Sequence, residues 1–386
     1  MIHADSLSAE WLLAKTRQYK RDPGLIESMI RALHLLEHLK LSALDFIFKG
    51  GTSLVLLMTE PLRFSVDIDI IVSPNLTREE LEVFLQQVVK SSAFISMELD
   101  KRRSYQPGIP KAHYKFKYRS HVPKIVPGQG QVENPEKEIL LDVLFADNPY
   151  PALVSKPIAS NWVFNEGESL AVTIPCVNSI TGDKMVAFAP CTTGVLYGVN
   201  KEREIIKQLF DVGNLFELLE SVEILRASYY AAAISEIQYR PERSIAGIDS
   251  ILEDTIATGF ILARSEFHPK EDEDSRSKFA ELKRGIQQFT HFVFEPGFRL
   301  DHAQVASAKA AYLAAYLLTK QPGPLQRFKS DIPVANYMIT DQQYNWLNRR
   351  LKFVAKGEAL FYWSQTLKLM NPFPVEGPRV LADENL

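Results

Sequence analysis

Apolar positions along the chain change period several times. From Gly24 to Leu41 they recur at helical spacing, with Ile26, Met29, Ile30, Leu33 and Leu36 on one side, which predicts a helix packed behind a sheet. Phe46 to Phe48 reads as the end of a buried strand, and Val66 to Val72 alternates as a second one. Thr77 to Lys90 opens with Thr77 and Glu80 in capping-box spacing and carries Leu81, Phe84, Leu85 and Val88 on one face, a covering helix. His113 to Ser120 alternates again, and Glu138 to Phe145 reads as a strand buried on both faces.

Beyond Ile174 the period is helical throughout. Thr181 or Asp183 is placed to cap a helix beginning at Lys184, and Lys201 to Val222 forms another, with Ile205, Ile206, Leu209, Phe210, Phe216 and Leu219 as its apolar face. Further helices are predicted over Ala227 to Ile237, Ile245 to Arg264, Lys278 to Phe294 and Ala303 to Lys320, with Tyr312, Leu313, Tyr316 and Leu317 as core. Val375 to Leu386 reads as a loose tail. Strand-rich and then helix-rich halves, in a chain of 386 residues, imply two domains, 1–175 and 176–386.

The densest chemistry lies between the first two strands. Gly50 and Gly51 let the backbone turn sharply and approach a ligand closely, and Thr52 or Ser53 is expected to cap the short helix that follows. A helix start with free N–H groups attracts anions. On the second strand Asp67 and Asp69 share a face, roughly 6–7 Å apart at the backbone given the strand rise. Two acids there repel each other unless a cation intervenes. Mg²⁺ prefers carboxylates, phosphate oxygens and water. The plainer alternative is an edge strand with solvated acids behind an ordinary turn.

Asp142 stands inside the strand from Glu138 to Phe145, where an isolated carboxylate is costly without a charge partner. A cation held by Asp67 and Asp69 would be that partner; the alternative is an acid bonded to nearby backbone. Residues 101–132 contain no acid, and Lys115, Lys117 and Arg119 occupy the strand face opposite Tyr114, Phe116 and Tyr118. That face reads either as solvated or as a groove for a triphosphate or an RNA backbone. His34-Leu35-Leu36-Glu37-His38 matches the His-x-x-Glu-His pattern of inverted zinc peptidases, but no second ligand helix is evident and so short a pattern arises easily by chance.

Composition narrows the field only a little. A formal net charge of -3 gives no global reason for nucleic-acid binding, so any such surface must be local. Cys176 and Cys191, the only cysteines, form neither a disulfide framework nor a zinc pattern and are expected to be buried small residues. Met1 to Trp11 lacks the features of a secretory leader, and no run approaches the length needed to span a bilayer, so a cytoplasmic protein without membrane contact is expected.

Lys49-Gly50-Gly51-Thr52-Ser53 followed by Arg63-Phe64-Ser65-Val66-Asp67-Ile68-Asp69 resembles the signature of the AbiEii/AbiGii nucleotidyltransferase toxins, a branch of the DNA-polymerase-β-like superfamily. The resemblance covers roughly Gly24 to Glu220. It implies an α/β (α+β) nucleotidyltransferase fold, with a small mixed sheet flanked by helices and then a mostly α-helical domain completing the nucleotide or acceptor site. It also implies metal at Asp67 and Asp69 with Asp142 as third acid, and a triphosphate held by Gly50, Gly51, Thr52 and Ser53. The spacing of Lys184, Lys207 and Asp211 resembles the family's second block; Gln208 stands where members commonly carry an acid.

The expected activity is transfer of a nucleoside monophosphate from an NTP to an acceptor, with two Mg²⁺ ions, or Mn²⁺ in their place. By resemblance the acceptor is RNA, tRNA in particular, and the role is that of a toxin restrained by a cognate antitoxin protein. A small-molecule nucleotidyltransferase of the antibiotic-modifying kind and a nucleotide-binding regulator without transfer remain open.

Overall fold

The computed structural model describes residues 1–58, 60–106, 108–126, 130–294 and 297–370. The tail expected over Val375 to Leu386 lies outside them, as does part of the loop around Gly128. The chain divides into two units, Met1–Cys176 and Val177–Leu386.

The first unit runs α1 (Ala9–Tyr19), α2 (Pro23–Leu41), β1 (Ile47–Lys49), α3 (Gly50–Leu57), β2 (Ile68–Val72), α4 (Arg78–Ser91), β3 (Ser96–Leu99), β4 (Lys111–Arg119), β5 (Lys124–Val126), β6 (Gly130–Val132), β7 (Glu136–Phe145), β8 (Leu153–Pro157) and β9 (Ala171–Pro175). A seven-stranded mixed sheet, ordered β3-β4-β7-β2-β1-β9-β8, carries it; β2 pairs parallel with β7 and β1 parallel with β9, the other pairs being antiparallel.

Sequence sets the two faces of this sheet apart. Pairing of Val143 with Ile70 on one side and Ala112 on the other, and of Leu141 with Ile68 and Tyr114, aligns one apolar face, all six residues nearly inaccessible. Against it pack α2, begun by Pro23 with Asp22 accepting from the Leu25 N–H, and α4, begun by the expected Thr77/Glu80 capping box. The other face aligns polar residues: Lys49 opposite Asp69, Asp69 opposite Asp142, Asp142 opposite His113. So β7 is buried on one face only, not on both. Ile139, Leu141 and Val143 are enclosed, while the Asp142 side chain keeps 29% exposure.

The second unit is helical: α5 (Val177–Ala187), α6 (Glu202–Glu217), α7 (Val222–Gln238), α8 (Ile248–Arg264), α9 (Glu273–Phe289), α10 (Leu300–Leu318), α11 (Trp346–Leu351) and α12 (Glu358–Met370). The predicted helices exist, with shifted ends. α5 starts seven residues before Lys184, and Thr181, instead of capping it, donates its hydroxyl to the Val177 carbonyl inside it (2.7 Å). The stretch from Lys201 to Val222 divides where Ser221 caps α7. α10 is enclosed almost along its length by α6, α8 and α12, with Tyr312, Leu313, Tyr316 and Leu317 in the core. The cysteines are less enclosed than expected, Cys176 half-buried and Cys191 exposed.

Candidate active site

β1 ends at Lys49, and Gly50 turns the chain at φ +76, a region that favours glycine. The turn lies tight against the second strand: a Cβ at Gly50 would fall 2.7 Å from Asp69 Cγ and closer still to Oδ2. At Gly51 it would meet Arg63 Nη2 at 2.5 Å and Ser65 Oγ at 2.8 Å. These glycines therefore let the start of α3 approach Asp69 and the buried Arg63.

Thr52 and Ser53 do something other than expected. Neither caps α3, whose N-cap position is Lys49, and both are fully buried within its first turn. Thr52 Oγ1 donates to the Asp67 carbonyl (2.5 Å) and lies 2.9 Å from Ser65 Oγ. Ser53 Oγ donates to the Gly50 carbonyl (2.8 Å). Thr52 thus ties the turn to Ser65 and Asp67 while Ser53 bonds within the turn, so with both hydroxyls engaged inside the protein the backbone N–H groups at the start of α3 are the turn's donors for an anion.

Asp67 sits just ahead of β2 and Asp69 within it, both half-buried, with fully enclosed Ile68 between them. Asp142, the register neighbour of Asp69, is engaged from its other side. Its Oδ1 lies 2.5 Å from His113 Nδ1, and its Oδ2 lies 3.8 Å from Arg103 Nη2. Hard carboxylate oxygens, close to the surface and beside the start of α3, are a donor set that fits Mg²⁺ or Mn²⁺. Asp67 and Asp69 offer such oxygens beside the turn, and Asp142, expected as the third acid, stands opposite Asp69 with His113 and Arg103 orienting its carboxylate.

In the helical unit Lys184 on α5 and Asp211 on α6 form a nearly fully buried ion pair, Nζ to Oδ2 2.9 Å, with side-chain exposures of 6% and 1%. Gln208 Oε1 accepts a second hydrogen bond from Lys184 (3.1 Å), so the residue standing in place of an acid still holds this lysine. Lys207, four residues before Asp211, instead pairs with Glu204 (3.4 Å) and is half-exposed.

The basic face of β4 is matched charge for charge. Lys115 pairs with Glu138 (3.5 Å), Lys117 with Glu98 (2.8 Å) and Arg119 with Glu136 (3.2 Å), all from flanking strands. The hydrogen bond from Lys117 holds the Glu98 carboxyl below its usual range. An acid-free stretch of sequence thus becomes a balanced ladder, which favours the solvated-face reading.

The model for the nucleotidyl transferase AbiEii toxins of type IV toxin–antitoxin systems matches residues 34–304. The chain belongs to the AbiEii nucleotidyl transferase toxin family. The match takes in the Gly50–Gly51 turn, the three acids, Lys184 and Asp211, and it runs on through α9 into α10, well beyond the Glu220 limit drawn from sequence. No curated protein matches the chain at a significant level. The motifs that carry the resemblance in sequence, 49–53, 63–69 and Lys184, Lys207 and Asp211, do not include His113 and Arg103. His113 alternates in phase with Lys115 and was legible only as one more residue on that face; its pairing with Asp142 depends on the β4–β7 register. No helix among the described residues is long and apolar enough to cross a membrane.

Proposed function

We propose that this AbiEii family member transfers a nucleoside monophosphate from an NTP to an RNA acceptor, tRNA by family resemblance, and does so with Mg²⁺ or Mn²⁺ held by Asp67 and Asp69. The observation that carries the reading is the packing of the Gly50–Gly51 turn directly against the Asp69 carboxylate, which brings an anion-binding backbone and a cation-binding acid together. The bound cation would supply charge stabilisation at the phosphate oxygens.

The protein's own groups do the rest. The N–H groups at the start of α3 orient the β- and γ-phosphates; Thr52 and Ser65 keep Asp67 in register with that turn. Asp142, steered by His113 and Arg103, orients the acceptor hydroxyl whose oxygen attacks the α-phosphorus as the bond to the pyrophosphate leaving group breaks. Within the helical unit Lys184 is held by Asp211 and Gln208 and Lys207 is half-exposed; that these two lysines serve the triphosphate rests on the family resemblance alone. Lys101, Arg102 and Arg103 form an exposed cationic turn between β3 and β4, and among the described residues neither Lys101 nor Arg102 forms an ion pair. That turn, beside Asp142, is favoured over the β4 ladder as the contact to an RNA backbone.

Incubation with each α-labelled NTP, Mg²⁺ and total RNA tests the proposal. Label is expected in RNA; label recovered only on a small molecule, or nowhere with any NTP, would refute the RNA acceptor or the transfer itself.

A further inference from the structure

α2 carries a cluster that nucleotidyl transfer does not use. His34, Glu37 and His38 stand on successive turns of it, and one ligand atom from each can be chosen so that all three lie within 4.8 Å. The three residues are 7%, 1% and 8% exposed. The imidazoles meet edge to face with centroids 4.4 Å apart.

Ordinary packing accounts for part of this. The Ile2 N–H donates to Glu37 Oε1 (2.7 Å), the Ala93 N–H to His34 Nε2 (3.3 Å), and His38 Nδ1 lies 3.0 Å from Ser91 Oγ. Two features remain. His34 Nδ1 is buried without a hydrogen-bond partner among the described residues. Glu37 is a carboxylate in the core whose burial pushes its pKa up, opposed only by the Ile2 N–H and the amino terminus. Burial, then His38 and Arg31, push the His34 pKa down to about 3, so its ring is neutral and offers a lone pair.

We propose that His34, Glu37 and His38 form a binding site for a divalent cation of the zinc class, distinct from the oxygen site at Asp67 and Asp69. Two imidazoles and a carboxylate are ligands of Zn²⁺ or Co²⁺, not the all-oxygen set that Mg²⁺ prefers. Ser91 takes up Nδ1 of His38, which leaves Nε2 as its ligand atom and fixes the ring. His34 would bind through the unpartnered Nδ1; its remaining proton then sits on Nε2, and the 3.3 Å contact to Ala93, the longest of the three, is given up. Arg31, stacked 5.0 Å from the Tyr118 ring centroid, puts a positive charge nearby and weakens the site. Three protein ligands are one short of a closed structural zinc site, so binding is expected to be reversible and titratable. So enclosed a cluster has no room for a peptide substrate, and no hydrolysis is assigned to it.

The test is titration of the tag-free, metal-stripped full chain with Zn²⁺ and Co²⁺, following stoichiometry, Co²⁺ visible absorption and Tm. One equivalent is expected for the wild type and for the Asp67→Asn/Asp69→Asn double variant, with Tm rising as the metal binds. His38→Gln and Glu37→Gln should each lose that equivalent and the Tm increment. Retention of the equivalent by both, or its loss in the double aspartate variant, would overturn the proposal. Should His38→Gln or Glu37→Gln fold poorly, zinc-edge absorption of the wild type decides: two imidazole nitrogens in the metal's shell support the site, and an all-oxygen shell refutes it.

Discussion

Gly50 and Asp69 are packed so closely that no side chain fits between them: a Cβ on the glycine would lie 2.7 Å from the aspartate's Cγ. The same glycine has φ +76, where alanine costs roughly 1–2 kcal/mol. Gly50→Ala is therefore expected to remove transfer and lower Tm together, because relief of the clash must move either the turn or the carboxylate. A variant with wild-type transfer would show that this contact is incidental.

Thr52 is a different case, since its hydroxyl works inside the protein. Thr52→Val keeps the shape but strands the Asp67 carbonyl and Ser65, at about 1–3 kcal/mol for the unsatisfied groups. Denaturant unfolding should show that loss. NTP affinity should fall less than it does for Gly50→Ala, because the hydroxyl is fully buried and not offered to phosphate.

Asp211→Asn should destabilise the helical unit by about 3–5 kcal/mol, since it leaves Lys184 charged in a site only 6% exposed. The double change Lys184→Met/Asp211→Leu should recover most of the Tm and none of the transfer. Recovery of both would make the pair purely structural.

The triple change Lys115→Gln, Lys117→Gln, Arg119→Gln should leave the salt dependence of RNA binding nearly unaltered, because each cation already faces a carboxylate. Lys101→Gln/Arg102→Gln should flatten it, by about 0.7 in log-log slope for each single-strand phosphate that the protein no longer neutralises. The opposite pattern would return the RNA contact to β4.

What could be read in the sequence was what neighbours in sequence determine. The Gly50–Gly51 turn, the alternation that sets Asp69 apart from Ile68 and Ile70, the Thr77 cap and the helical period beyond Ile174 all arise within a few residues of chain. Contacts fixed by strand register were not legible. Asp142 looked buried because Leu140 and Leu144, its neighbours in phase, are apolar, yet they lie on the more open face with it. The β4 cations looked unopposed because Glu98, Glu136 and Glu138 are remote from them in sequence. Likewise the spacing of Lys184, Lys207 and Asp211 did not show which lysine meets the acid: Lys184, from another helix, holds it, and Lys207 pairs with Glu204.

Comparison of Asp67→Asn and Asp69→Asn with the wild type, assayed for transfer of labelled nucleotide to RNA in Mg²⁺ and for Tm, tests the central claim most directly. Each change keeps the side-chain shape, removes one cation-ligand charge and relieves like-charge repulsion. The account predicts that both variants melt at or above the wild-type temperature and that transfer is lost in both. Near wild-type transfer by either variant would contradict it.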